Sequence, residues 1–513
     1  MLIIILFVLC ILYGMEESGM LFNSVSFIVF FPIVVLLYFA IPKKIRYLWL
    51  LAASYFFYMC WNAKYALLLF YSTAVTYISG LLIDRCDQKG QPRRRKKLFV
   101  ALSFTLNLSL LFLFKYFDFA IENINLILAK CNLALLTPKF DLLLPVGISF
   151  YIFQALSYTM DVYRKEIYVE KNFLKYALFV SFFPQLVAGP IERSKNLLVQ
   201  IGRQTSFSYE NFRRGLLLML WGYFQKIVIA DRIGLLVDTV YGNVGQYEGC
   251  YFLLASVLFA IQIYCDFSGY SLIAVGAAKV MGFTLMENFN CPYFAQSVAE
   301  FWRRWHISLT SWFRDYLYIP LGGSRRGTAR KYLNVLLVFL VSGLWHGAQW
   351  TYVAWGGLNG LFQVVGGMLA PCREKLGKLL GVKEKSFGHR FLKIAVTFVL
   401  VDFAWIFFRA ESMRDASYMI RSIFTVHNPW IFLDQSIYQL GLSQRQFHLL
   451  LFSLAILLAA DWMKYKKIHI MDRLLEQNLW FRWPVYLVGI LFVLVFGVWG
   501  NAYDAQAFVY FQF

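Results

Sequence analysis

Two histidines lie within one stretch of aromatic, basic and apolar sequence, residues 300–360. His306 stands in FWRRWHISL, and His346 stands in SGLWHGAQW between two apolar runs. An ionisable side chain flanked by so much apolar sequence is expected at membrane depth, where a charge is costly, so it indicates a functional site. An imidazole is suited to general acid–base chemistry because its ordinary pKa is near physiological pH. The alternative is a structural histidine hydrogen-bonded to a neighbouring helix.

The residues around His306 have the spacing of an amphipathic helix. If residues 301–316 are helical, apolar and polar side chains fall on different faces. The apolar stripe is Trp302, Trp305, Leu309, Trp312 and Tyr316, and the polar one is Arg304, Ser308, Ser311 and Asp315. Tryptophan and arginine concentrate at membrane interfaces, so we expect this helix in the headgroup region or dipping into the protein.

Composition defines the class to which these residues belong. The chain has 513 residues, of which 60% are hydrophobic and only 15% are charged. Apolar runs of membrane-crossing length recur, so we predict an all-α, polytopic integral membrane protein with roughly 11–13 transmembrane or re-entrant helices. The predicted segments are 25–41, 47–61, 66–83, 98–119, 142–160, 173–188, 215–230, 251–281, 333–370 as a hairpin, 391–408, 448–462 and 484–499.

The net charge of +20 does not indicate nucleic-acid binding. The positive residues cluster in short loops beside apolar runs, which is the bias that sets membrane topology. We therefore expect four basic segments on the cytoplasmic side: 42–46, 93–97, 325–331 and 373–393. The eight cysteines include no CxxC pair, and neither they nor the scattered histidines predict a metal site or a disulfide framework.

The N-terminus and the domain organisation give two further expectations. Residues 1–19 are read as a short apolar extension or as the result of an upstream start codon, with Met15 or Met20 as alternatives to Met1. Residues 20–513 contain no intervening polar domain, so we predict a single membrane domain.

The hairpin and several polar residues predict where a cavity lies. Two basic segments flank residues 333–370, so the chain must cross and return, and we expect its reversal at Trp345–His346–Gly347. Polar side chains within or beside apolar sequence are expected to form ion pairs with one another or with arginine, or to form hydrogen bonds. These are Asp161, Glu192, Arg193, Asp266, Ser268, Asp315 and Asp402.

Blocks spread along nearly the whole chain resemble the membrane-bound O-acyltransferases, particularly the bacterial alginate O-acetyltransferase-like branch. They are LFNSVSFIVFFPIVVLLYF, LPVGISFYIFQALSYTMDVYR, FFPQLVAGPIER, QIYCDFSGYSLIAVGAAKVMGF, FWRRWHISLTSWFRDYLYIPLGG, SGLWHGAQWTYVAWGGLNG and FVYFQF. The resemblance implies helices surrounding a catalytic tunnel. It implies His346 as the principal catalytic histidine and general base, and His306 as a second one that polarises the acyl carbonyl or orients the acceptor.

The same resemblance implies the substrates and the remaining site residues. The donor is acetyl-CoA or another acyl thioester, with no bound cofactor or metal, and the acceptor is an extracellular polysaccharide or cell-wall glycan. An extracytoplasmic SGNH-type partner and a location in the bacterial cytoplasmic membrane are also implied. Donor or tunnel contacts are expected from Arg304, Trp305, Asp315, Asp266, Trp345, Arg325 and Arg326. The basic loop is equally well explained as a topology signal.

Two alternative functions and one question of mechanism stay open at this point. The first alternative function is transfer of D-alanine from a carrier protein toward teichoic acid, and the second is transport without covalent chemistry. No GxSxG element accompanies the histidines. Direct transfer is therefore favoured, with an acyl relay on His346 as the alternative.

Overall fold

The computed structural model describes residues 19–138, 144–187, 189–203, 205–383 and 386–499, and these residues form helices and connecting loops with no strand among them. Six of the helical segments are long and apolar enough to cross a bilayer, and a seventh is added if one pair bent by 48° is a single span. The predicted all-α, polytopic class is confirmed. Helices that are shorter or less apolar occupy the other predicted segments. Residues 1–18 of the expected extension lie outside the described residues.

The chain divides into two compact units, of which the first comprises the residues up to Met219 together with Tyr270–Met286. Within it α3 packs against α4, α6 and α7, and Phe57 contacts both Phe27 and Phe183 in an aromatic core. Its helices are α1 (Val25–Ala40), α2 (Arg46–Met59), α3 (Tyr65–Gln88), α4 (Arg93–Leu111), α5 (Phe117–Lys130), α6 (Ile148–Arg164), α7 (Phe173–Ser181), α8 (Phe183–Leu186), α9 (Ser194–Ile201) and most of α10 (Tyr209–Tyr223).

The second unit comprises Leu220–Gly269 and the residues from Glu287 onward. Here α16 packs against α13, α15 and α18. Its helices are α11 (Asp231–Tyr241), the first part of α12 (Cys250–Val280), α13 (Val298–Arg304), α14 (Ile307–Phe313), α15 (Thr328–His346), α16 (Trp350–Met368), α17 (Ala370–Leu379), α18 (Phe387–Arg409), α19 (Met413–Thr425), α20 (Gln444–Tyr465), α21 (Ile470–Glu476) and α22 (Leu479–Phe496). The single membrane domain stays a prediction.

Short 3₁₀ and π segments complete the two units. The π segments are Phe112–Tyr116, Phe224–Ala230 and Arg314–Tyr318. The 3₁₀ segments are Lys43–Ile45, Val244–Gln246, Pro292–Phe294, Pro429–Phe432 and Ser436–Gln439. π-Helical turns are uncommon, and those that occur are often found at functional sites.

The hairpin of α15 and α16 reverses where the sequence predicted, because α15 ends at His346 and α16 begins at Trp350. Glycines let the two helices approach closely. A Cβ atom on Gly343 would lie 2.3 Å from the carbonyl oxygen of Tyr352, and one on Gly356 would lie 2.3 Å from that of Phe339. Small residues at such a crossing are the usual means of close helix packing in membranes.

We predict that Gly356→Ala destabilises the hairpin by roughly 1–3 kcal/mol, since its methyl group would overlap a backbone oxygen that cannot move independently. Gly366→Ala on the same helix is the matched control, because a Cβ atom there meets nothing within 4 Å. Thermal unfolding of the detergent-solubilised protein measures both. Equal midpoints for the two variants would show that α15 and α16 do not pack this closely.

Candidate active site

His306 lies at a break between two short helices. Its backbone is left-handed, with a φ of 43°, and the backbone of the preceding Trp305 is extended. Helix α13 ends just before these two residues, and α14 begins just after them. The continuous helix expected over residues 301–316 is therefore wrong. A left-handed conformation costs a non-glycine residue about 1–2 kcal/mol and persists only where the surrounding structure holds it.

Asn288 is the residue that holds this break. Its backbone oxygen accepts from the backbone N–H of Ile307 at 3.0 Å. Its side-chain oxygen Oδ1 accepts from the backbone N–H of Ser308 at 3.3 Å, from the Ser308 hydroxyl at 2.9 Å and from His306 Nδ1 at 3.1 Å. A backbone N–H can only donate, so the Asn288 atom must be the amide oxygen. His306 Nδ1 therefore carries the proton.

The imidazole of His306 is neutral. His306 is 1% exposed and stands outside the candidate spans. Burial lowers its pKa from 6.5 to about 3, because the cation loses its hydration in this environment. With Nδ1 protonated, Nε2 is the nitrogen that keeps a lone pair and can accept a hydrogen bond.

His346 is the last residue of α15 and is 3% exposed. Its ring makes edge-to-face contacts with Trp355 and Phe408, with centroids 5.0 and 5.4 Å apart. The next residue, Gly347, leaves room for Tyr352, whose ring carbons would lie within 2.2 Å of an added Cβ. This glycine explains why the helix can end here with the imidazole packed among aromatic rings.

Trp345 joins the two histidines. Its ring centroid is 4.9 Å from that of His346 and 6.2 Å from that of His306. The two imidazoles, 40 residues apart in sequence, thus contact one indole. The structure brings together the two histidines that the sequence predicted as a site.

Large aromatic side chains surround this pair. Trp405 of α18 stacks on Trp355 of α16 at 5.5 Å and contacts Trp305 at 5.2 Å. Trp302 contacts Trp355 at 5.5 Å, and its indole N–H donates to Asn359 Oδ1 at 3.1 Å. We call Trp302, Trp305, Trp345, Trp355, Trp405 and Phe408 the aromatic cluster. All six are at most 5% exposed, so they keep bulk water from the rings of the histidines they contact.

Asp266 directly precedes a residue that contacts His306. The ring centroids of Phe267 and His306 are 4.6 Å apart. The Asp266 carboxylate is buried and pairs with the ammonium of Lys226 at 2.7 Å. The same ammonium lies 2.6 Å from Asp231. We call Lys226, Asp231 and Asp266 the buried ion cluster. Asp266 is in an ion pair as expected, but its partner is a lysine and not an arginine or another residue of the predicted set.

The remaining predicted residues lie outside the aromatic cluster. Arg304 pairs with Glu300 at 2.8 Å and stacks on Tyr465, and Asp315 pairs with the neighbouring Arg314 at 2.8 Å. Arg325 and Arg326 are exposed in the loop before α15, whereas His346 ends that helix. A 19-residue helix is about 28 Å long, so these arginines are far from the histidines.

Sequence reasoning missed four residues that shape the site. Asn288 lies 18 positions before His306 and carries no periodic signal. Lys226 was detectable as a cation directly before the apolar run IVIA, with Asp231 directly after that run. Trp405 and Phe408 read as ordinary core residues of a span. The tunnel around these residues stays a prediction.

Fold and site together define a class: a polytopic, all-helical membrane protein with two buried histidines in an aromatic cluster. Comparison with known proteins makes this specific. The family model described as MBOAT, membrane-bound O-acyltransferase, matches residues 103–377. The chain belongs to the membrane-bound O-acyltransferase family, which confirms the resemblance and the prediction of an acyltransferase.

Individual relatives agree with this assignment. The chain is 38% identical over 409 residues to the probable alginate O-acetylase AlgI of Pseudomonas putida, covering 79% of this chain and 80% of the relative. It is 35% identical over 436 residues to the peptidoglycan O-acetyltransferase of Helicobacter pylori, covering 79% and 80%. Similarity to the teichoic acid D-alanyltransferase of Bacillus subtilis is lower, 25% over 288 residues, covering 53% and 71%.

We predict that His306→Gln reduces the loss of stability on acidification. Between pH 6.5 and pH 3 the folded state binds fewer protons at His306 than the unfolded chain does, so the wild type loses stability as the pH falls through this window. The contribution is on the order of 1.4 kcal/mol per pH unit below the unfolded pKa. Unfolding midpoints at about pH 7.5 and about pH 5.5 measure it.

Substitution of His427 by Gln is the control for this prediction, because its side chain is exposed in the folded protein, unlike that of His306. His427→Gln should behave as the wild type does. If His306→Gln and His427→Gln lost stability equally between the two pH values, His306 would not be neutral in the folded protein.

Proposed function

We propose that this chain is a membrane O-acetyltransferase that moves an acetyl group from a cytoplasmic thioester, acetyl-CoA, to a hydroxyl group of an extracellular polysaccharide or cell-wall glycan. The observation that carries the proposal is the pair of buried histidines on one indole, within the part of the chain that matches the family. The alginate and peptidoglycan O-acetyltransferase relatives, each covering 79% of the chain, support the glycan acceptor.

In the proposed reaction, His346 acts as the general base. It accepts the proton of the acceptor hydroxyl while the oxygen attacks the carbonyl carbon of the thioester. A C–O bond forms, the C–S bond breaks, and the leaving thiolate takes up the proton from the imidazolium. A positioned base of this kind contributes about 10²–10⁴-fold to a rate. Direct transfer is preferred to an acyl relay on His346, because it needs no second attack on a histidine-bound acyl group.

His306 has a positioning role in this scheme. A neutral imidazole with its proton on Nδ1, donated to Asn288, can accept at Nε2 but cannot donate there. It can therefore orient a hydroxyl group by accepting its hydrogen bond, whereas polarising an acyl carbonyl would need a donor. The protonation of Nδ1 thus favours the acceptor-orienting role over the carbonyl-polarising one.

The aromatic cluster supports the chemistry by excluding water, which would otherwise hydrolyse the thioester. Trp305 and Trp345 are the predicted tunnel residues that belong to it. Arg304, Asp266 and Asp315 are assigned to structure instead, since each pairs with an oppositely charged neighbour. The separation of Arg325 and Arg326 from His346 favours capture of an anionic donor, or a topology signal, over a role at the reacting atoms.

Location and partner complete the proposal. The basic segments favour a cytoplasmic donor side, and the bacterial relatives favour the cytoplasmic membrane of a bacterium as the location. The acetyl group then reaches the glycan with the help of an extracytoplasmic SGNH-type acetyltransferase. Transfer of D-alanine to teichoic acid ranks lower, because the matching relative covers only 53% of the chain. Transport without covalent chemistry would leave no acyl product.

We predict that His346→Ala lowers acetyl transfer by a factor of about 10²–10⁴, because the general base is lost. Membranes containing wild type or variant receive radiolabelled acetyl-CoA, and the label in glycan and in partner protein is counted. His427→Ala, an exposed histidine, is the control and should transfer as the wild type does. Label incorporated equally by His346→Ala would remove this residue from the mechanism.

The same assay separates the alternatives. A membrane supplied with D-alanyl carrier protein instead of acetyl-CoA should incorporate no label; incorporation only from that donor would replace the acetyl assignment. Dependence on an ion gradient or ATP with no covalent product would favour a transporter.

We predict for His306→Ala a reduced transfer at unchanged protein abundance, since the acceptor hydroxyl would no longer be oriented. The expected loss is smaller than that of His346→Ala, because the general base is still present. Varying the acceptor separates binding from chemistry: a positioning role predicts a raised KM for the glycan. Unchanged kinetics in folded His306→Ala would leave this residue with a structural role only.

A further inference from the structure

A basic cavity of about 210 Å³ lies in the first compact unit, apart from the histidines. Its walls come from the end of α1, the start of α2, α7 and the loop after α9. Five cations line it, Lys43, Lys44, Arg46, Lys175 and Arg203, and no carboxylate is among its lining residues. This volume far exceeds the roughly 10–15 Å³ that a single water needs. Several positive charges around one cavity attract an anion.

Arg46 fixes the shape and the charge of this cavity. The residue is 9% exposed, and its guanidinium donates to the backbone oxygens of Thr205 at 2.7 Å, Ile41 at 2.9 Å and Phe39 at 2.9 Å. It also lies over the Tyr38 ring at 5.2 Å. Backbone carbonyls orient the guanidinium but leave its full charge uncompensated, so the rigid wall is positive before any ligand arrives.

The other four cations are Lys43, Lys44, Lys175 and Arg203. Lys43 donates to Ser206 at 2.8 Å, and Lys175 lies over the Tyr47 ring at 5.7 Å. Lys43, Lys44 and Arg203 are exposed. Among the described residues, none of these four side chains makes an ion pair with Asp or Glu. Their ammonium and guanidinium groups therefore remain available to an anionic ligand.

The neighbouring helix places the cavity at the membrane surface. α1 has 16 residues, none of them charged, and exposes Leu36 by 70% and Ile28 by 47%. Such a flank is expected to face lipid chains, and the lysines that follow it are then at headgroup level. A phosphate attached to acyl chains can occupy the cavity while its chains lie along an apolar flank.

We propose that this cavity is a binding site for a phosphate group, carried by an anionic phospholipid or by a soluble phosphorylated ligand. Cations arranged around a phosphate form charge-assisted hydrogen bonds with its oxygens. The site does not require the acyltransferase function, because binding to it is measurable without turnover.

The test uses the full-length protein in detergent and native mass spectrometry with phosphatidylglycerol, with zwitterionic phosphatidylcholine as the lipid control. Coenzyme A is the soluble probe. The variant Lys43→Gln/Lys44→Gln/Lys175→Gln removes three of the cavity's cations and spares Arg46. The matched control, Arg94→Gln/Arg95→Gln/Lys97→Gln, removes three exposed cations from the basic N-terminal turns of α4, outside the cavity.

We predict that the cavity variant loses about tenfold or more in phosphatidylglycerol affinity while the control variant does not, since each basic residue near the surface adds to binding. A selective loss of coenzyme A binding instead would assign the site to a soluble phosphate. Equal affinities for the two triple variants, for both probes, would overturn the proposal. Arg203→Gln, at an exposed position, gives the same comparison with a smaller loss if the triple variant does not fold.

Discussion

Burial of two imidazoles is the constraint on which the second unit depends. A polar ring without water needs defined partners, and a charged one costs far more. Each histidine lies at the end of a helix, where the chain direction changes. The edges and faces of aromatic rings surround both imidazoles. His346 closes α15, and His306 occupies the break between α13 and α14. The indole side chains around the two imidazoles are rigid, so ordering them costs little side-chain conformational entropy. The indole of Trp345 contacts both imidazoles.

The sequence predicts this arrangement where local patterns decide it. Two apolar runs that meet at Trp345–His346–Gly347 between basic segments allow few solutions other than a hairpin that turns there. The structure places the turn at these residues. The glycines at 343, 347 and 356 are consistent with the same prediction, because they allow close packing where larger side chains would separate the helices. The class of fold and the pairing of the histidines in one site were therefore within reach of sequence reasoning.

What the sequence does not reveal depends on contacts between distant residues. The stripe of Trp302, Trp305, Leu309 and Trp312 fits an uninterrupted helix by periodicity. The break at His306 is held by hydrogen bonds that Asn288 accepts from Ser308, which no local pattern can show. Likewise, Arg325 and Arg326 are predicted as donor contacts of the site that holds the histidines, because a basic rim suits an anionic donor. A regular helix of 19 residues then carries them apart, since closeness in sequence is not closeness in space.

The buried ion cluster shows how an irregular helix can be recognised. Lys226 and Asp231 are five residues apart, which on an α-helix would direct their side chains to different faces, yet the two charged groups meet at 2.6 Å. The π segment Phe224–Ala230 makes this possible, because its bonds join residues five apart. Gly269 brings α12 close enough for Asp266 to complete the cluster, since a Cβ atom there would lie 2.8 Å from the Gly222 oxygen. Opposite charges at this spacing in an apolar run therefore indicate a π turn that a search for the α-helical period overlooks.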